Sequence, residues 1–309
     1  MALSIIEMVF PVILAFLLGY LCKRKQIISA QGLEGIRSLV SKVLLPVVLF
    51  NAFFTAEYSG RLLLTFGVIY GSCALGLAVG FLLRKFAVKD SRYFPFLVTN
   101  FEGGMMGYAL FGLLYPGQTH IFAMADIGQT LAAYTFYLVA MQAVRTGKAS
   151  PKALAKNALT DPAFIGTVLG VLLGATGIAK VILGSSVAGV VTKTISFLAA
   201  PVSCLILIIV GYDLAFRREL MKPTLITIAV RLLLTAALLM LDSLIVFRVL
   251  PFDKQLLVAI MLAWSLPAPY IIPLYADMKR EGAYISSVLS METVISVLLF
   301  IGVAVYALG

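Results

Sequence analysis

The stretch FPFLVTNFEGGMMGYALFGLLY, residues 94–115, is long and apolar enough to cross a membrane, yet EGG interrupts it at 102–104. A second stretch, LLVAIMLAWSLPAPYIIPLY at 256–275, is interrupted by PAP at 267–269. In lipid, a helix can be broken only where protein or a water-filled cavity satisfies the freed backbone groups. Paired interruptions therefore predict a buried site near the middle of the membrane, the arrangement that secondary transporters use.

The composition places the chain among membrane proteins. Hydrophobic residues make up 61% and charged residues 12% of its 309 residues, and the mean hydropathy is +1.05. These values leave too little polar surface to cover a soluble globule. Apolar stretches of about 17–25 residues cross a bilayer as helices. We predict an all-α integral membrane protein forming a single transporter unit over 1–309, with about ten spans at 3–22, 36–56, 61–83, 93–115, 121–144, 159–178, 187–212, 224–247, 255–275 and 282–308.

Lysine and arginine gather on one side of this ten-span layout. That side receives the clusters at 23–25, 84–92, 145–156 and 217–222. Because cytoplasmic loops are rich in these residues, the layout predicts that both termini lie outside the cytoplasm. The net charge of +10 is explained by this topology. The lipid bilayer is therefore an expected partner, and nucleic acid is not.

The ten spans divide into five plus five, and an odd number of spans per half predicts an inverted repeat. Repeat one is expected at 1–145 and repeat two at 158–309, with a cytoplasmic linker at 146–157. The fourth and ninth spans are the broken ones and are expected to be crossover helices. The first span is rich in glycine and alanine, which let membrane helices pack closely, so a homodimer is one candidate assembly.

Corresponding spans share further features. Pro46 and Pro201 fall in the middle of the second and seventh spans, and the acids Asp126 and Glu292 fall in the fifth and tenth. We predict structural helix breaks at Pro46, Gly107, Pro201 and Pro273.

Enzyme and metal motifs are absent from the sequence. There is no Gly-x-Ser-x-Gly elbow, no phosphate-binding glycine-rich loop and no zinc-ligand spacing. The chain holds a single histidine, His120, and three cysteines within or beside apolar spans. We expect no enzyme activity, no metal site and no cofactor, and H+ or Na+ as candidate coupling ions.

Several short stretches together resemble a known family. They are LPVVLF at 45–50, MGY at 106–108, Gln129 with Tyr134 and Thr135, and Leu266 and Pro267 with Pro273. The chain resembles the auxin efflux carrier family, whose plant branch contains the PIN auxin carriers and whose bacterial members include organic-acid transporters.

This resemblance implies an inverted-repeat fold with a scaffold domain and a transport domain, in which substrate binds beside two crossing broken helices. Family members commonly have an asparagine where this chain has Glu102. The long cytoplasmic loop of many plant members is lacking here, which favours a bacterial-type protein in the plasma (cell inner) membrane.

Glu102 is the leading candidate for a functional residue. An acid at the centre of a membrane helix costs roughly 2.5–3.5 kcal/mol, so it usually faces a cavity, an ion or a proton pathway. The alternative is that Glu102 caps the broken backbone. The full set of candidate substrate- or ion-binding residues is Asn51, Asn100, Glu102, Gly103, Gly104, Asp126, Gln129, Pro267, Ala268, Pro269 and Glu292.

Arg231 lies inside the eighth span. Roughly 12 Å separates it from the cytoplasmic end of its helix at 1.5 Å per residue. We predict that it pairs with Asp213 or extends toward the interface. Attraction of an anionic substrate is the alternative role.

Three functions fit these patterns. The first is a secondary active transporter for a small organic anion (a carboxylate) that works by alternating access around the crossover. The second is a cation-coupled symporter or cation/proton antiporter, in which Glu102, Asp126 and Glu292 form one ion site. The third is a membrane sensor or lipid-binding scaffold that does not transport.

Overall fold

The computed structural model describes residues 2–56, 58–147, 159–215 and 217–309. Helices are the only regular secondary structure in these ranges, which confirms the all-α class. In chain order the helices are α1 Ala2–Arg24, α2 Ala30–Phe54, α3 Gly60–Arg84, α4 Phe94–Leu97, α5 Gly103–Leu114, α6 119–146, α7 Pro162–Ala175, α8 Ile178–Leu183, α9 Ala188–Asp213, α10 Arg218–Val249, α11 Lys254–Ser265, α12 Ile272–Tyr275 and α13 Met278–Leu308.

Within those ranges, helices α2, α3, α9, α10 and α13 are long and apolar enough to cross a membrane, and α5, α7 and α11 are shorter apolar helices. Large apolar side chains cover much of the outer surface, among them Val181, Phe197 and Leu233. Such a surface suits contact with lipid and would be unusual on a soluble monomer. The fold is therefore that of a multi-pass membrane protein.

The predicted fourth and ninth spans are each interrupted. Backbone without helical structure lies at 98–102, between α4 and α5, and at 266–271, between α11 and α12. Asn100 has a left-handed backbone with φ of 55°, which asparagine tolerates better than most residues. Leu266 is extended because the following Pro267 disfavours the helical conformation before it.

Aspartates begin several helices by accepting hydrogen bonds from backbone amides in the first turn. Asp161 caps α7 through the Phe164 amide at 2.9 Å, and Asp253 caps α11 through the Leu256 amide at 3.0 Å. Burial acts to raise the pKa of Asp253. Hydrogen bonds from the Leu256 amide and the Arg61 guanidinium outweigh that effect, and the pKa of Asp253 lies below its ordinary value.

Not every residue predicted as a helix break interrupts a helix. Helix α2 runs through Pro46 after a π-helical turn at Val40–Leu44, and α5 runs through Gly107. A turn at Ala200 and Pro201 divides α9, and Pro273 lies in the first turn of α12. Of the predicted linker at 146–157, only 146 and 147 are among the described residues.

Glycines let two pairs of helices touch backbone to backbone. In α1 and α9, a Cβ on Gly19 would collide with the Ile208 carbonyl, and one on Gly211 would collide with the Phe16 carbonyl. Along α7, Gly166, Gly170 and Gly174 repeat every four residues and meet the carbonyls of Pro46, Phe50 and Phe53 on α2. Small residues at membrane-helix interfaces permit this close approach.

A side chain at Gly211 should therefore destabilise the protein. We expect Gly211→Ala to lower the free energy of unfolding by about 1–3 kcal/mol, the usual cost of forcing atoms into a packed interface. The matched control is Gly189→Ala in the same helix, because a Cβ there meets nothing within 4 Å. Thermal unfolding in detergent, followed by circular dichroism, compares the two. Equal melting temperatures would show that the α1–α9 contact is not tight.

Candidate functional site

The two interruptions lie against each other. The Glu102 amide donates a hydrogen bond to the Pro267 carbonyl at 2.9 Å, and the Tyr270 amide donates to Glu102 Oε2 at 2.6 Å. Residues more than 160 positions apart in the chain are thereby joined at the points where their helices break. The freed backbone groups of one interruption are partly satisfied by the other.

Glu102 is the residue that both interruptions share. Its Oε1 accepts a hydrogen bond from the Met105 amide at 2.9 Å, which caps the start of α5, and its Oε2 accepts from Tyr270. The residue is 9% exposed. Its carboxylate therefore lies where amide groups converge, at the positive end of the α5 helix dipole.

Arg231 binds the carbonyl side of the same region. Its Nη1 donates to the Leu97 and Thr99 carbonyls at 3.0 and 3.2 Å, and its Nη2 donates to the Asn100 and Leu266 carbonyls at 2.7 and 2.8 Å. The side chain is buried, with 4% of its surface exposed.

The predicted roles of Arg231 as a partner of Asp213 or as an interfacial side chain are both wrong. Asp213 pairs instead with Arg37 at 2.6 Å. Arg231 turns inward because the interruptions offer it four carbonyl acceptors that no helix satisfies.

Glu292 of α13 lies beside Arg231. Its Oε2 is 3.8 Å from Arg231 Nε and accepts a hydrogen bond from the Ala268 amide at 2.9 Å. Its Oε1 has no hydrogen-bond partner in the part of the chain that the structure describes. Glu292 thus provides the negative charge that balances the buried guanidinium.

A cavity of about 120 Å³ opens beside Glu102. This volume holds several water molecules or a small solute. Its lining residues are Leu45, Leu49, Glu102, Gly103, Gly104, Asp126, Gln129, Thr130, Ala133, Tyr134, Ala163, Phe164, Thr167, Pro269 and Ile271.

Asp126 is the second acid of this cavity. The Tyr108 hydroxyl approaches its carboxyl group, but Oδ1 makes no hydrogen bond of regular geometry to any described residue. A Cβ on Gly103 would collide with Oδ1, so the glycine allows the acid to approach the interruption. Neither lysine nor arginine is among the described residues that line the cavity.

The predicted site residues separate into three groups. Those lining the cavity are Glu102, Gly103, Gly104, Asp126, Gln129 and Pro269. Those on the Arg231 side or between the interruptions are Asn100, Pro267, Ala268 and Glu292. Asn51 belongs to neither group: it lies in α2 outside the cavity lining.

Sequence reasoning missed several polar residues of the cavity. Thr130 and Tyr134 follow Asp126 at intervals of four, which places all three on one face of α6. This helical spacing was a usable signal. Thr167 comes from α7, whose approach to α6 no local pattern reveals.

A further buried acid, Asp242 of α10, was also missed. Its oxygens accept hydrogen bonds from the Ser72 hydroxyl and, at 2.7 Å, from Trp264 Nε1. The Trp264 ring packs edge-on against Phe101 of the first interruption. Asp242 therefore supports the interruptions from behind, away from the cavity. Among the described residues, no three acidic, histidine or cysteine side chains cluster to hold a metal ion.

Comparison with known proteins agrees with this architecture. The sequence profile of the family described as membrane transport protein matches residues 4–303, nearly the whole chain. No functionally curated protein matches the sequence. The family consists of transporters rather than enzymes, and the resemblance seen in the sequence motifs is confirmed. The chain therefore belongs to the membrane transport protein family, that of the auxin efflux carriers.

Proposed function

We propose that the protein is a proton-coupled secondary active transporter for a small organic anion. The transport class follows from the family, and the cavity beside the two interruptions is the proposed binding site. In our proposal the anion is a carboxylate of a few carbon atoms, because a cavity of about 120 Å³ accommodates little more.

The proposed transport cycle is alternating access around a crossing of the fourth and ninth spans. Hydrogen bonds between the interruptions at 98–102 and 266–271 support this crossing. We extend the proposal to a repeat of five plus five spans in opposite orientation, since interrupted helices at corresponding positions mark such folds. The protein would lie in the plasma (cell inner) membrane with both termini outside the cytoplasm.

The observation that carries proton coupling is the charge of the cavity. Glu102 and Asp126 both line it, and no basic residue accompanies them among its described lining. An entering carboxylate is repelled by ionised carboxylates at close range. Protonation of either acid removes part of that repulsion, so proton and anion favour each other's binding. Such a positive coupling predicts that both move in the same direction.

Neutral polar groups would bind the substrate. Gln129, Thr130, Tyr134 and Thr167 bring amide and hydroxyl donors to the cavity wall. These donors bind a carboxylate with no fixed positive charge. Leu45, Leu49 and Phe164 add apolar side chains to the lining, and these suit contact with a short carbon chain.

A second candidate is a carrier driven by a metal cation, or one that exchanges a cation for protons. Asp126 Oδ1 makes no hydrogen bond of regular geometry to any described residue, which favours this candidate, because a carboxylate oxygen facing a cavity can bind a cation. The version in which Glu292 joins Glu102 and Asp126 in one ion site has less support. Glu292 is bound to Arg231 and the Ala268 amide outside the cavity lining.

Neutral variants of the two acids test the coupling. In proteoliposomes, we expect uptake of labelled small carboxylates to rise with an inward proton gradient in the wild type. Asp126→Asn should weaken this proton dependence while retaining counterflow exchange, because the amide cannot release a proton and only Glu102 remains to do so. Glu102→Gln should lose about tenfold or more in uptake, since its two backbone hydrogen bonds to a charged acceptor are weakened.

Wild-type transport driven by sodium alone would favour the second candidate instead. If proton dependence survives unchanged in both variants, the acids do not couple transport. Arg248→Ala, at an exposed end of α10, controls for general effects of substitution and reconstitution.

The two adjacent glycines of the first interruption provide a further test. Gly103→Ala should displace the Asp126 carboxylate and lower uptake about tenfold, because a Cβ collides with Oδ1. Gly104→Ala is the matched control, since a Cβ there makes only ordinary contacts at 3.6 and 3.9 Å. Uptake and melting temperature are measured together for both. Equal uptake by the two variants would place Asp126 outside the transport site.

A further inference from the structure

Arg231 has a role that anion transport does not explain. It is buried, and it is not among the residues that line the proposed binding cavity. Instead its guanidinium lies behind the two interruptions, where it contacts backbone oxygens and Glu292.

The acceptors of Arg231 share one property. Leu97 ends α4, Thr99 and Asn100 belong to the first interruption, and Leu266 directly follows α11. Their carbonyls lie at or beyond helix C-termini, which carry partial negative charge. Carbonyl groups at the ends of broken membrane helices are the ligands with which transporters bind coupling cations. The guanidinium therefore occupies the kind of position that a sodium ion would otherwise need.

Little free space lies beside Arg231 and Glu292. The void that Arg231 and Glu292 line has a volume of about 10 Å³, enough for a single water molecule at most. Glu292 supplies one negative charge, which the guanidinium already balances. The guanidinium thus holds the freed carbonyls of both interruptions, and Glu292 balances its charge.

We propose that Arg231 is the resident cation of the crossing, a positioning residue that takes the place of a coupling metal ion and makes transport independent of sodium. Only the uptake measurement below rests on the proposed transport function; the melting-temperature measurements do not. Arg231 sets the backbone at 97–100, and Glu102 follows two residues later. Arg231 thereby positions Glu102, the acid that faces the cavity, and does not itself contact the substrate.

The first test uses the wild-type protein. We expect the melting temperature in detergent to stay constant when sodium chloride replaces choline chloride at equal ionic strength, and carboxylate uptake to change less than about twofold. A sodium-dependent rise in melting temperature, saturating at millimolar concentration, would overturn the proposal. This thermal readout does not require that the transported substrate be known.

The second test replaces the resident cation. Arg231→Ala leaves four carbonyls and Glu292 without their partner, and we expect a clearly lowered melting temperature that millimolar guanidinium chloride partly restores. Choline chloride should not restore it. Arg248→Ala in the same helix is the control, and guanidinium should not raise its melting temperature. Absence of a specific guanidinium effect on Arg231→Ala would overturn the proposal.

Should Arg231→Ala fail to fold, two conservative variants replace it. Arg231→Lys keeps the positive charge, whereas Arg231→Met keeps only the length. We expect the lysine variant to be the more stable and the more active of the two. Equal behaviour would show that packing rather than charge matters. The proposed function and this inference can fail separately. If wild-type uptake shows no proton dependence and the melting temperature does not change with sodium, the proposed function is contradicted and this inference stands.

Discussion

The structure depends on one requirement: backbone groups freed inside a membrane need partners, because lipid offers none. Two helices are interrupted, and each interruption releases amides at one end and carbonyls at the other. The carboxylate of Glu102 binds the amides of Met105 and Tyr270, while the guanidinium of Arg231 binds four carbonyls. Two side chains, one acidic and one basic, thus bind backbone amides and carbonyls that a continuous helix would pair with each other. Hydrogen bonds to charged groups are stronger than those between neutral groups, which suits backbone groups that lipid cannot satisfy.

This solution divides the charges of the protein into two kinds. Arg231 and Glu292 lie together as opposite charges in contact, outside the cavity lining. Glu102 and Asp126 lie beside an open cavity without a basic neighbour among the described lining. In our proposal, only the second pair exchanges protons. The two interruptions therefore lie between a charge-balanced pair and a cavity that two acids line.

The sequence predicted the parts of this arrangement that depend on local chemistry. Apolar length revealed the spans, and the glycines at 103–104 and the prolines at 267–269 revealed the interruptions. Glu102 stood out because an acid in an apolar span is costly. Partners across the chain could not be predicted in this way. Arg231 meets carbonyls more than 130 positions away, and backbone acceptors leave no signature in side-chain identity.

The glycine contacts of α1 with α9 and of α2 with α7 bear on how the molecule moves. Where backbones touch, a small sliding displacement would bring a Cα against a carbonyl, so we expect each pair to move as one rigid unit. Helices that meet through flexible side chains can shift by repacking at little cost. In the proposed transport cycle, we therefore expect the moving contacts to lie between these two helix pairs and the interrupted helices, and the glycine contacts within each pair to stay unchanged.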